Sequence, residues 1–138
     1  MTTAWQRSED AVRSYLMELY GQKFEKRNVP LRQKLNLDNG EIVEKYEFDA
    51  VSTEGRVIAE VKDYRNPHYP QEMKNTEWDM KRLDMANADT KLMFFVDPLF
   101  YQVFCHKNGK NLIQWRKKGV AIIPPYELIN FLRFGSDV

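Results

Sequence analysis

The chain has 138 residues, 43% hydrophobic, 30% charged and 13% aromatic, with a formal net charge of +1. That length suits one domain, residues 1–138, built on a single core, and no segment approaches the apolar length of a membrane-spanning helix. Cys105 is the only cysteine, which excludes an internal disulfide and a cysteine cluster for zinc, and His68 and His106 lack metal-ligand spacing.

In chain order, SEDAVRSYLMELYG reads as an amphipathic helix, with Ser8 as its cap, Glu9 and Asp10 at its positive end and Gly21 at its exit. Val12, Tyr15, Leu16 and Leu19 form its apolar stripe. Glu9 lies three and seven residues before Val12 and Leu16, so it points inward near the helix start. VPLRQKLNL alternates as a strand and meets a turn at Asp38-Asn39-Gly40. A second strand runs to about Ser52, Glu54-Gly55 turns the chain, and a third strand spans Arg56 to Lys62.

DYRNPHYPQ is expected as loop because of Pro67 and Pro70, and QEMKNTEWDMKRLDMANA as a helix. KLMFFVDP and VAIIP have the unbroken apolar character of buried strands. Between them, LFYQVFCHKNGKNLIQWRKKG fits either a helix broken near Gly109 or a strand, turn and helix. PYELINFLRF closes the chain as a helix with Pro125 in its first turn. The order predicts an α/β fold, a mixed sheet flanked by helices on both faces.

A two-residue loop at Glu54-Gly55 makes cross-strand partners sum to 109, so Asp49 faces Glu60 and Glu47 faces Lys62. Strict alternation puts Glu47, Asp49, Val51, Ile58, Glu60 and Lys62 on one face, and Tyr46, Phe48, Ala50, Val57, Ala59 and Val61 on the other. Opposed side chains lie about 4.5–5.5 Å apart at Cβ. Two carboxylates that close repel unless a cation lies between them. A hard ion such as Mg²⁺ needs only one or two protein carboxylates, and Lys62 can reach a substrate phosphate from the same face.

Charge is uneven along the chain. Residues 1–37 sum to +3, residues 38–90 to −6 and residues 91–138 to +4. Lys107, Lys110, Arg116, Lys117 and Lys118 fall in a stretch without acids between Asp97 and Glu127. An acidic middle between basic ends suits a metal site ringed by phosphate-binding surface.

Asp49, followed eleven residues later by Glu60-Val61-Lys62 across a turn, resembles the metal-binding Asp and the (D/E)-x-K of the PD-(D/E)xK nuclease superfamily. Glu9 resembles the helix Glu of its Holliday-junction resolvase and Mrr-type branches, and KKGVAIIPPYELINFL their closing strand and helix. Phe48 stands where the motif's name has Pro. The tripeptide pattern also occurs at Glu72–Lys74, Asp79–Lys81 and Asp89–Lys91, which are expected to be solvated charge in or near a helix. Gln71, Lys74 or Lys81 could supply the second-helix residue that some branches carry.

The resemblance implies a restriction-endonuclease-like αβββαβ core with an extra C-terminal αβα extension. It implies a Mg²⁺-dependent DNA endonuclease, Mn²⁺ able to substitute, in which Asp49, Glu60, the Val61 carbonyl and Glu9 hold the metal and Lys62 orients the attacking water. Arg65 and the basic residues 107–118 would then neutralise DNA phosphates. The alternative is a non-cleaving nucleic-acid-binding or assembly module on the same fold. RNA stays open as a substrate, a homodimer is compatible with paired cuts, and MTTAWQRSED lacks a signal-peptide core, so a cytoplasmic protein without a membrane partner is expected.

Overall fold

The computed structural model describes residues 3–37 and 39–128. The first helix, α1 (Ala4–Tyr20), starts before the expected Ser8 cap. Thr3 and Gln6 form a reciprocal capping box, with the Gln6 N–H donating to Thr3 Oγ1 at 3.1 Å and the Thr3 N–H to Gln6 Oε1 at 2.9 Å. Ser8 instead lies one turn inside, its hydroxyl donating to Ala4 O at 3.1 Å and Asp63 Oδ2 at 3.2 Å. The helix still ends at Gly21, whose φ of 67° supplies the left-handed exit. Glu9, Val12 and Leu16 form its buried stripe.

Strands β1 (Phe24–Asn36) and β2 (Ile42–Ser52) make a long antiparallel hairpin, so β1 begins five residues before the expected Val29. Gly40, with φ 85°, closes its turn by donating to Leu37 O at 2.9 Å. Pro30 is tolerated because β1 is an edge strand of the five-stranded sheet β1-β2-β3-β4-β5. Strand β3 (Val57–Lys62) pairs antiparallel with β2 through Ala50↔Ala59 and Val51↔Ile58, the expected register. The connection is longer than Glu54-Gly55 alone. Gly55 N–H bonds Ser52 O at 2.9 Å and the Val57 N–H bonds Ser52 Oγ at 3.0 Å.

Pro70, expected to block regular structure, opens α2 (Pro70–Met85), where its missing N–H costs nothing. Strand β4 (Thr90–Phe95) then runs parallel to β3. The ambiguous segment is two helices, α3 (Pro98–Lys107) and α4 (Gly109–Lys117), and β5 (Val120–Ile123) pairs parallel with β4. Of the segment expected as a closing helix, residues 125–128 are helical, and its remaining residues lie outside the described residues. No helix among the described residues is long and apolar enough to cross a membrane.

One sheet face packs on α1 through Val12, Leu16, Ala50, Val57, Ala59, Val61, Leu92 and Phe94. The other packs on α2, α3 and α4 through Phe48, Val51, Ile58, Met80, Leu83, Phe95, Phe104 and Trp115. The fold is therefore α/β, a mixed sheet with helices on both faces.

Phe48 corrects the strict alternation expected of the hairpin. It shares a cluster with Val51 and Ile58, not with Ala50, and Tyr46 packs beside it at 5.1 Å between ring centroids. The cause is a β-bulge. Glu25 pairs with Val51 but Arg27 pairs with Phe48, so Asp49 and Ala50 together oppose Lys26. The extra residue reverses the faces of Tyr46 and Phe48 in β2. Glu47, expected to face Lys62, is exposed.

Candidate metal and nuclease site

The ladder between β2 and β3 stops where the bulge begins, and side chains take over its hydrogen bonds. The Val61 N–H donates to Asp49 Oδ2 at 2.8 Å, and the Asp49 N–H donates to Glu60 Oε1 at 3.0 Å. Each carboxylate thus accepts from the backbone of the opposing strand, so the two expected acids do meet. Asp49 keeps 13% of its side chain exposed, whereas Glu60 is buried.

Two sets of charges converge on this pair. From the α1 side, Lys26 Nζ lies 3.2 Å from Glu9 Oε1 and 4.0 Å from Asp49 Oδ1, between the two acids. Arg13, one turn after Glu9, reaches Glu9 Oε1 at 3.5 Å and donates to Asp49 O at 2.7 Å. From the other side, Lys62 pairs with Asp79 of α2, which also accepts from Arg82 at 2.5 Å and from the Tyr46 hydroxyl at 3.3 Å. Glu9, Asp49 and Asp79 are thereby paired with Arg13, Lys26, Lys62 and Arg82.

Burial dominates the electrostatics. It raises the Asp49 carboxyl to about 6 from 3.8, against the bond from Val61 N–H; Glu9 adds to the rise, while Lys26 and Lys62 oppose it. Burial, then the charges of Asp49 and Asp79, push Glu60 well above the ordinary carboxylate range. Burial alone would lower Lys62, but Asp79 and Glu60 outweigh it and hold the ammonium above its usual value. Lys62 is therefore a cation in this arrangement. Tyr46 is raised by burial, then by Glu60 and Asp79, and stays a neutral hydrogen-bond donor.

The donors suit a hard divalent cation in type: oxygen ligands at a site where two carboxylates suffice. Glu9 Oε2 is buried with no hydrogen-bond partner among the described residues, and an ammonium already lies between Glu9 and Asp49. Among the described residues, no three His, Cys, Asp or Glu side chains are gathered closely enough to hold an ion as they stand. Glu9 would have to leave Lys26 to join the pair.

The expected phosphate-binding residues do not gather here. Lys118 pairs with Asp84 at 3.2 Å, and Asp84 O accepts from Lys91 at the start of β4, opposite the end where Lys62 lies. Lys107 pairs with Glu77 at 3.8 Å, and Lys110, Arg116 and Lys117 are exposed on α4. Arg65 follows the site and pairs with Asp63 at 3.4 Å.

Two of the (D/E)-x-K segments expected to be solvated are not: Asp79 is buried at the site, and Lys91 is buried at the start of β4. Asp79 lies three residues after buried Thr76 and four before buried Leu83, a helical spacing that marks it as inward. Arg13 stands four residues after Glu9, whereas Lys26 sits in a segment without strand alternation. Gln71 and Lys74 are exposed, and Lys81 lies over the Trp78 ring at 4.4 Å. No family model, curated protein or solved structure matches the chain.

Proposed function

We propose that the protein is a metal-dependent DNA endonuclease of the PD-(D/E)xK kind. The observation that carries the reading is the Asp49–Glu60 interlock at the end of the β2–β3 ladder, with Lys62 two residues further along β3. Helix, three antiparallel strands, helix and parallel strand follow one another as in the restriction-endonuclease-like core.

Asp49 and Glu60 would hold Mg²⁺ or Mn²⁺, with Glu9 and the Val61 carbonyl completing the set. Such an ion supplies Lewis-acid charge at the scissile phosphate. The chain's own groups account for the rest. Lys62, kept protonated by Asp79 and Glu60, orients water and stabilises charge growing on the phosphoryl oxygens. The Tyr46 hydroxyl and Arg82 fix Asp79, and through it the position of the Lys62 ammonium. The test is nicking of plasmid DNA in Mg²⁺ or Mn²⁺ beside Lys62→Ala and Asp49→Asn, both expected to lose cleavage. Equal nicking by all three proteins would refute the assignment.

The second reading is a non-cleaving nucleic-acid-binding module. In its favour, Glu9, Asp49 and Asp79 are already paired with internal cations and Lys62 is committed to Asp79. Calorimetric titration with Mn²⁺ separates the two. A nuclease site binds the ion and loses it in Asp49→Asn; a charge-balanced structural cluster gives no heat.

A further inference from the structure

Two clefts flank the carboxylates, and Trp5 lines both. One, of about 450 Å³, is bounded by Trp5, Glu9, Arg13, Phe24 and Lys26. The other, of about 270 Å³, is bounded by Trp5, Val61, Lys62, Asp63 and Tyr64. Trp5 belongs to neither apolar cluster and is 48% exposed. Lys26 Nζ lies 4.7 Å from its ring centre, and Lys62 lines the other cleft, with its ammonium paired to Asp79 and 5.2 Å from the Tyr64 ring.

An exposed aromatic ring with a cation beside it matches the base and phosphate of one nucleotide in a strand. The acids of the first cleft do not oppose this, because Asp10 is paired with Arg13 at 2.7 Å, Glu9 with Lys26 and Arg13, and Glu25 with Lys23 at 4.0 Å. Inside a duplex both faces of a base are covered by neighbouring bases, so away from the ends an aromatic ring can stack only on a base that is unpaired or turned out. We propose that Trp5 is the stacking platform for an unpaired nucleotide beside the site, making single-stranded or locally unpaired DNA the preferred ligand.

This inference deepens the nuclease reading and is tested without cleavage. Binding of a short fluorescein-labelled oligothymidine, and of a blunt duplex of equal length, is measured by anisotropy in EDTA. Wild type is expected to favour the oligothymidine. Trp5→Ala should weaken oligothymidine binding about 10-fold, the order for loss of one stacked base, while Trp5→Phe should stay within about 3-fold. Duplex binding should move less than about 2-fold in either variant. Circular dichroism checks that both variants keep the helical fold, as expected for a half-exposed side chain.

Wild type that does not favour oligothymidine, Trp5→Ala that binds it normally, or an equal loss on strand and duplex would each overturn the inference. A protein that binds through Trp5 but does not nick DNA would retain it and lose the nuclease reading. Nicking that depends on Lys62 with binding indifferent to Trp5 would do the reverse.

Discussion

Lys62 and Asp79 form a buried ion pair between β3 and α2, with 11% and 4% of their side chains exposed. Asp79 holds Lys62 by charge, and Arg82 and Tyr46 hold Asp79. Removing one partner of such a pair leaves the other charge buried and uncompensated. Since Asp79 is the main influence raising Lys62 against its burial, Asp79→Asn should lower the lysine's pKa. Activity should then be lost at a lower pH on the alkaline side, with wild-type rates recovered toward neutral pH. A variant whose rate falls equally at every pH would assign Asp79 to folding alone.

Asp49 costs the fold stability that a metal or a substitution can return. Its carboxyl sits near pH 6 in the folded protein and near 3.8 in its ordinary state. Between those values the native state holds a proton that the unfolded chain has lost, so this group's contribution falls as pH rises through the window. Above it the burden is complete, on the order of 1–3 kcal/mol. Asp49→Asn keeps an oxygen to accept the Val61 N–H and carries no charge. In EDTA it should therefore unfold at a higher temperature than wild type at pH 8, with the gain vanishing toward pH 4. A melting point below wild type at pH 8 would contradict the electrostatic account.

The bulge at Asp49-Ala50 assigns opposite fates to two neighbours. Phe48 is fully buried against the α2 side, so Phe48→Ala should cost about 3–5 kcal/mol in denaturant unfolding. Glu47 is exposed, so Glu47→Ala should change stability by no more than about 0.5 kcal/mol. A regular strand would instead put Glu47 opposite Lys62 and make its loss expensive. A large effect at Glu47 would argue against the bulge.

Much of this was legible in sequence because it is local. The apolar runs of β4 and β5, the inward Glu9 and the register bringing Asp49 to Glu60 all follow from spacing within a helix, a strand or one hairpin. The bulge was not, because it arises where β2 meets β1 and requires knowing that Lys26 faces two residues. Asp79 was hidden differently. Its neighbours Glu77, Lys81 and Arg82 give it the surroundings of a solvated helix face, and only Thr76 and Leu83 mark it as inward. The basic run at 107–118 was opaque for another reason: a run of charge does not say where its side chains lie, and Lys107 and Lys118 pair with Glu77 and Asp84 away from the Asp49–Glu60 pair.

Lys26 occupies the space a divalent ion would contest. Its ammonium is 3.2 Å from Glu9 and 4.0 Å from Asp49, and a second cation among those oxygens would meet it at close range. Unit charges at about 4 Å interact by roughly 1–4 kcal/mol between bulk water and a protein surface. Lys26→Gln should therefore bind Mn²⁺ at least about 5-fold more tightly in calorimetric titration, a change at the low end of that range. The same substitution should weaken oligothymidine binding, because Lys26 is the cation beside the Trp5 ring. Tighter metal with weaker DNA is the combined signature expected of a lysine that yields its place to the ion and turns to the phosphate. Unchanged or weaker Mn²⁺ affinity would mean that Glu9 and Asp49 do not share a cation.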